Sequence, residues 1–366
     1  MNTRDRFPAA PGAARRISAR RRAIGLALLA CALLGGPGHL AQAGERTSCA
    51  ALAVAQGDAL SGEAAEFSAL LESAVRRSPN LLLVDLADAV DPAGAQARSD
   101  KARAAADALA QARKAYDALD VDAALEQARR AIYLGAEAPL AQRREALTAA
   151  LLLAGASRYY GGDEPGSRDE FLRLFGIDPF AHLDPESWSP EVLAVAESER
   201  AHGAAQRRGE ATVRSEPVPA RIYVEGIDSG VAPVRLHGLA PGAHNVTAVA
   251  PGYTQRDALL SPGVERTLVL LPASSGRDLL ALEKQLASSF GDKDGDEAMR
   301  QVGRDAGAEQ VLIARIELRG RAHVAHVLRL QVSDGKRLGE ATGDISLGSA
   351  RGLADADTLI RGALAP

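Results

Sequence analysis

Between Ala211 and Pro272 the chain reads, in order, ARIYVEG (220–226), IDSG (227–230), VAPVRLHGL (231–239), APGAHNVTAVAPGY (240–253) and VERTLVLLP (264–272). This is a lattice of glycine and proline set between short runs of strand-forming residues. Gly226 and Gly230 bracket a tight turn, where positive φ is cheap only for glycine. Pro233 opens the next strand, a place that tolerates a missing N–H. Pro241-Gly242 has proline and glycine at the two central positions of a type II turn. Gly252-Tyr253 closes one strand and begins another.

The spacing of Ala220 to Gly226, Gly230, Pro233, Leu239, Pro241-Gly242, His244 and Gly252-Tyr253 resembles the PEGA domain. That family is a small β-sandwich of bacterial surface and envelope proteins. The resemblance implies a sandwich over residues 211–272 and an envelope setting, and no particular chemistry.

Working outward, the N-terminal stretch supports export. Met1 to Arg22 is arginine-rich, and Ala23 to Gly36 is apolar but shorter than the ~20 residues a membrane span needs. Ala41-Gln42-Ala43 then supplies the small-x-small pattern of a signal peptidase site. Residues 1–43 are therefore expected to be a signal peptide cut between Ala43 and Gly44. The mature chain is expected in the periplasm or cell envelope, with no transmembrane segment. The competing reading is a lipoprotein acylated on Cys31. Leucine ahead of the small residue, and apolar residues beyond the cysteine, argue against it. After cleavage Cys49 would be the one remaining cysteine, which leaves no intrachain disulfide and no multi-cysteine metal site.

Of 366 residues, 46% are hydrophobic and 25% charged, as in ordinary globular proteins, so several domains are expected. A net charge of −4 argues against nucleic acid as a partner, because phosphate binding needs a basic surface.

Residues 44–98 read as strand, helix, strand. Ala50 to Val54 is short and apolar, and Gly62 to Ser78 carries Phe67, Leu70, Leu71 and Val75 at helical spacing. Leu81 to Leu86 reads as a buried parallel strand ended by Asp91-Pro92. Residues 99–203 read as helical. Ala112, Tyr116, Ala124 and Ala128, followed by Gly155, Tyr159, Phe171 and Pro179, are similar to the small, aromatic and terminating positions of tetratricopeptide (TPR) repeats. The two units depart from the family's period of about 34 residues and fall short of the usual three. Gly203 to Glu210 and Ala273 to Gly276 read as linkers.

Residues 276–366 read as two helices, three antiparallel strands (Val311 to Leu318, His323 to Ser333, Leu338 to Leu347) and a final helix from Ala350 to Ala363. Asp334-Gly335 is a strong hairpin dipeptide. This unit loosely resembles TolB-like and curli-assembly-like envelope domains. One hypothesis joins residues 44–98 and 276–366 into a single split domain; the alternative keeps them independent.

Catalytic motifs are missing. No Gly-x-Ser-x-Gly elbow, Walker A loop, Rossmann fingerprint or His-Glu-x-x-His occurs. Asp292 to Glu297 has the look of a calcium loop but places Glu297 and Gly303 where an EF-hand needs Gly and Glu, so it reads as a solvated acidic loop. His323 and His326 fall on opposite faces of a strand and cannot share a metal. His244 reads as packing or hydrogen bonding near the Pro-Gly turn. Aromatics make up only 4% of the chain, a poor supply for a glycan platform, and Trp188 reads as packing.

The expectation is a multi-domain α+β chain: a TPR-like helical tract, a small PEGA-like β-sandwich, and α/β elements at both ends of the mature chain. It is expected to be a non-enzymatic envelope adaptor or scaffold that binds a protein partner, without cofactor, metal or catalytic residues. The alternatives are a protein that binds peptidoglycan or another glycan, and a TolB-like accessory of an envelope assembly or transport system.

Overall fold

The computed structural model describes residues 46–365. The calls on Cys31, Ala43 and Gly44 lie outside them. The described chain is one compact α+β unit containing several sheets.

Strand β1 (Thr47–Ala55), helix α1 (Ser61–Arg77) and strand β2 (Leu81–Val84) come first. Val84 ends β2 earlier than the apolar run suggests, because Asp85 accepts from Ala87 N–H and starts the short helix α2 (Leu86–Val90). Asp91-Pro92, expected to break structure, instead starts the longest helix, α3 (Pro92–Asp117). The Asp91 carboxylate caps Gly94 N–H and the proline takes the first turn, where its missing N–H costs nothing.

Helices α4 (Val121–Gly135), α5 (Leu140–Tyr160), α6 (Glu164–Ile177) and α7 (Pro190–Ala205) follow. Small residues let them approach. Ala112, Ala124, Ala128 and Ala154 are fully buried, and a Cβ on Gly155 of α5 would lie 2.8 Å from the Phe171 ring of α6. The expected linker 203–210 is mostly absorbed, by the end of α7 and by the start of the next strand.

Strands β3 (Gly209–Glu216), β4 (Arg221–Val224), β5 (Ile227–Val231), β6 (Val234–Leu239), β7 (His244–Val249), β8 (Arg256–Leu260) and β9 (Glu265–Val269) form two sheets, ordered β6-β3-β9 and β5-β4-β7-β8. Val213, Leu236 and Leu268 from the first share one apolar cluster with Ile222, Val246 and Leu260 from the second.

A short connection, with a turn at residues 274–275 inside the linker expected at 273–276, leads into α8 (Gly276–Ser289), then α9 (Lys293–Ala306). The acidic stretch read as a loop is the start of α9. Asp292 caps Gly295 N–H, and Asp294 and Asp296 stand in the first turn, where the helix dipole favours negative charge. Strands β10 (Gln310–Arg319), β11 (Ala322–Gln331) and β12 (Arg337–Ile345) and helix α10 (Ala350–Leu364) complete the chain.

The two outer segments share one sheet, ordered β12-β11-β10-β1-β2. Strand β1 pairs in parallel with both β2 and β10, setting Leu52 beside Ile313, and β10 to β12 run antiparallel. Alternate residues of β1 face opposite layers. Ala51 and Ala53 pack with α1 and α10, while Ala50, Leu52 and Val54 pack with α2, α8 and α9. Cys49 is buried in this sheet, and burial pushes its thiol up to about 12, which leaves it unreactive. Among the described residues no helix is long and apolar enough to cross a membrane.

Candidate functional site

The tip of the β4–β5 hairpin is the natural starting point, because two residues there have left-handed backbone. Gly226 has φ +81°, and a Cβ on it would lie 2.5 Å from the Leu140 carbonyl oxygen of α5. Only glycine lets the turn sit this close to the helix. Its neighbour Glu225, φ 50°, is not a glycine, and it is buried. Its carboxylate accepts from Asn245 N–H at 2.9 Å and from Asn245 Nδ2 at 3.1 Å, bonds that hold the unfavourable backbone in place.

One turn beyond Leu140, Arg143 enters from α5 and is completely buried. Its Nη1 donates to Thr247 Oγ1 at 2.6 Å and to Asp257 Oδ1 at 2.9 Å, on the neighbouring strands β7 and β8. Nε and Nη2 donate to the Ala138 carbonyl at 3.3 and 3.1 Å. Burial alone would raise Asp257, but the Thr247 hydroxyl and the Arg143 charge outweigh it and hold the carboxyl below its usual value.

A second joint runs to α1. Arg221 of β4 donates to Glu72 of α1 and to Asp228 of β5, with its guanidinium 5.6 Å from the Tyr223 ring centroid. Burial raises the Glu72 carboxyl despite that arginine.

A third joint is made by backbone. The Gly252 carbonyl accepts from Ala273 N–H at 3.0 Å, and a Cβ on Gly276 at the start of α8 would lie 1.9 Å from the same oxygen. Leu280 of α8 packs on the shared apolar cluster. Nearby, burial pushes the Glu283 carboxyl up to about 7, and this charge raises Tyr253 after burial has done so.

Beside the hairpin tip lies a cleft of about 400 Å³, walled by Ile177, Val224, Ile227, Leu236 and Leu239. Glu225 and His244, both buried, reach it from within, and Arg235 and His237 stand at its rim beside Glu210. His244 Nε2 lies 2.9 Å from the Ala240 carbonyl, which can only accept, so Nε2 carries a proton. The other nitrogen, Nδ1, faces Glu225 Oε1 at 3.6 Å. The Glu225 carboxylate raises the His244 pKa against the opposing effect of burial.

Elsewhere, half the chain's tyrosines and its one tryptophan gather at one place on the helices. The Tyr116 ring centroid lies 5.5 Å from that of Trp188, tilted to it, and 6.0 Å from Tyr160, edge-on; Tyr160 lies 5.6 Å from Tyr159, and Arg113 sits 5.0 Å from the Trp188 ring.

The motif residues now have positions. Residues 226, 230, 242 and 252 are the positive-φ glycines of the turns, Pro233 and Pro241 flank β6, and Tyr253 is buried near α8. Residues 208–261 match the family of the PEGA domain. Beyond the matched residues, strand β9 pairs with β3 and an isolated bridge joins Tyr253 to Pro272. No curated protein and no solved structure matches the chain.

Among the described residues no group of three or more His, Cys, Asp or Glu is placed to hold a metal. His323 lies 3.7 Å from Glu63 while His326 bonds Glu317 at 3.1 Å, on the opposite face of β11. Pro179 lies just past the end of α6. Sequence reasoning missed Arg143 and Arg221, the charged ties of the PEGA domain to its neighbours. For Arg143 a signal existed: it falls on the stripe of Leu147, Ala150 and Ala154, which is the buried face of α5.

Proposed function

We propose that this chain is an exported, non-enzymatic scaffold of the cell envelope, in which the PEGA sandwich is fixed against a TPR-like helical tract that offers a surface to a protein partner. The observation that carries this reading is the buried Arg143, which ties α5 to β7 and β8. A module meant for display on a flexible stalk gains nothing from placing a guanidinium, completely buried, in its joint with the next element. A charge is buried where orientation has to be specified. The joints at Glu72 and Gly276 support the same reading, since three ties leave the module no freedom to swing.

The cluster of Arg113, Tyr116, Tyr160 and Trp188 supplies the residue types that dominate protein contact sites. The same cluster also favours the second reading, a glycan platform, with the rings on the helical tract rather than on the sandwich. Two experiments separate them. Site-specific photocrosslinking from position 160 in the native host yields a discrete protein adduct under the scaffold reading. Retention of the full chain on purified peptidoglycan, lost on Trp188→Ala, would favour the glycan reading. Mass spectrometry of the native protein should find Gly44 at the N-terminus; an intact Met1 would remove export from the account.

A further inference from the structure

Among the residues that line the cleft beside the hairpin tip are hydrogen-bond acceptors whose capacity is not filled. Helix α6 ends at Ile177, and Pro179 has no N–H to return to the helix. Among the described residues no donor reaches the carbonyls of Gly176 or Ile177, both in the cleft wall. These carbonyls form the negative end of the helix dipole. Glu225, another lining residue, uses one acceptor position on each carboxylate oxygen for Asn245 and keeps others open. Its remaining neighbour, His244 Nδ1, stands off at 3.6 Å. Between depth and rim the walls are aliphatic. Arg235 and His237 at the rim share the single carboxylate of Glu210.

We propose that this cleft binds a primary ammonium on a short aliphatic stem, with the ammonium donating to Glu225 and the α6 carbonyls. An ammonium brings three donors and no acceptor, matching a floor made of acceptors. The stem fills the space between Ile177, Ile227 and Leu239, replacing water on apolar walls. Arg235 at the rim favours a carboxylate at the outer end over a second ammonium. The ligand class is therefore an ω-amino acid, either free or as the terminal lysine of a peptide. This goes beyond the scaffold reading and does not depend on it.

The test is a titration of the full mature chain, methyl-labelled at Ile, Leu and Val, with 6-aminohexanoate, n-pentylamine and hexanoate. Both amines are expected to shift the methyls of Ile177, Ile227 and Leu239, with 6-aminohexanoate the tighter, while hexanoate leaves them in place. Glu225→Gln should weaken the amines by about tenfold or more, the contribution of one charge-assisted hydrogen bond. Ile227→Trp, at an exposed wall position, should block the cleft without disturbing the Glu225 site. Equal shifts with hexanoate, or unchanged amine affinity in either folded variant, would overturn the proposal. A peptide ending in lysine that shifts the same methyls more tightly than 6-aminohexanoate would assign the ligand to a polypeptide; the reverse order would assign it to a free amino acid.

Discussion

The PEGA domain is held to α5 by a charge and to α8 by an absence of side chains. At α5, Arg143 is fully buried and spends its donors on Thr247, Asp257 and Ala138. At α8, Gly252 and Gly276 bring two backbones so close that neither accepts even a methyl group. The charged joint specifies orientation, because its hydrogen bonds exist in one geometry only. The glycine joint specifies distance. Together they define a rigid placement that neither would define alone, and they fail in different ways.

Arg143→Ala should have the largest effect. It empties the space of a large buried side chain, strands the Ala138 carbonyl and takes the cation from Asp257, at a cost of about 3 kcal/mol or more. Urea denaturation measures this, and hydrogen exchange should show faster opening in β7, β8 and the β4–β5 turn. Arg143→Lys keeps the charge but cannot span three acceptors, so it should recover only part of the loss. Next comes Gly276→Ala, which drives a Cβ into the Gly252 carbonyl and should cost about 1–3 kcal/mol. Its exchange signature should appear at β9 and the start of α8, with β7 unchanged. If both variants loosened the same strands equally, the two joints would not be independent.

The two joints also differed in how far the sequence revealed them. Gly252 belongs to the turn lattice, and lattice glycines announce themselves because positive φ is a local demand. Arg143 sits in QRRE beside Arg144, a run that reads as a solvated helix face. Only its phase with Leu147 and Ala154 separates it from its neighbour, and its side-chain partners lie more than a hundred residues away. The outer sheet shows the same contrast. The apolar runs of β1 and β10 were visible as strands, yet their pairing depends on contacts between the two ends of the chain, which no local pattern encodes. Asp91-Pro92 and Asp292 were misread for a related reason. Asp and Pro end one element and begin another with equal ease, and only the capped N–H groups of Gly94 and Gly295 distinguish the two. The floor of the cleft was partly visible: His244 stood out through the family resemblance, whereas Glu225 was hidden because its left-handed backbone has no signal in its residue type.

A smaller effect concerns pH. The folded-state pKa of His244 is raised, so its contribution is complete below the unfolded value of about 6.5 and is lost as pH rises through the folded value. Glu283, raised to about 7, acts in the same direction. Folding favours its protonated form, so stability falls as pH climbs from the unfolded value of about 4.3 toward 7. The packing around His244 and the α8 joint should therefore loosen toward alkaline pH. Glu283→Gln should flatten the dependence below pH 7, and His244→Gln the dependence above it. Thermal denaturation across pH 5 to 9 checks both, and a stability that increased through this window would contradict the assignment. The smallest expected effect is Asp292→Ala, about 1 kcal/mol from loss of the α9 cap, with neither joint disturbed.

Rigid placement of the PEGA domain is the central claim, and a distance distribution tests it most directly. Spin labels at Arg130→Cys on α4 and Arg266→Cys on β9 occupy exposed positions, and the buried Cys49 should not compete for label. Double electron–electron resonance on the full chain should return one narrow distance, broadening when Arg143→Ala is added. A broad distribution in the chain that retains Arg143 would contradict the account, because it would mean that the joints do not fix the domain.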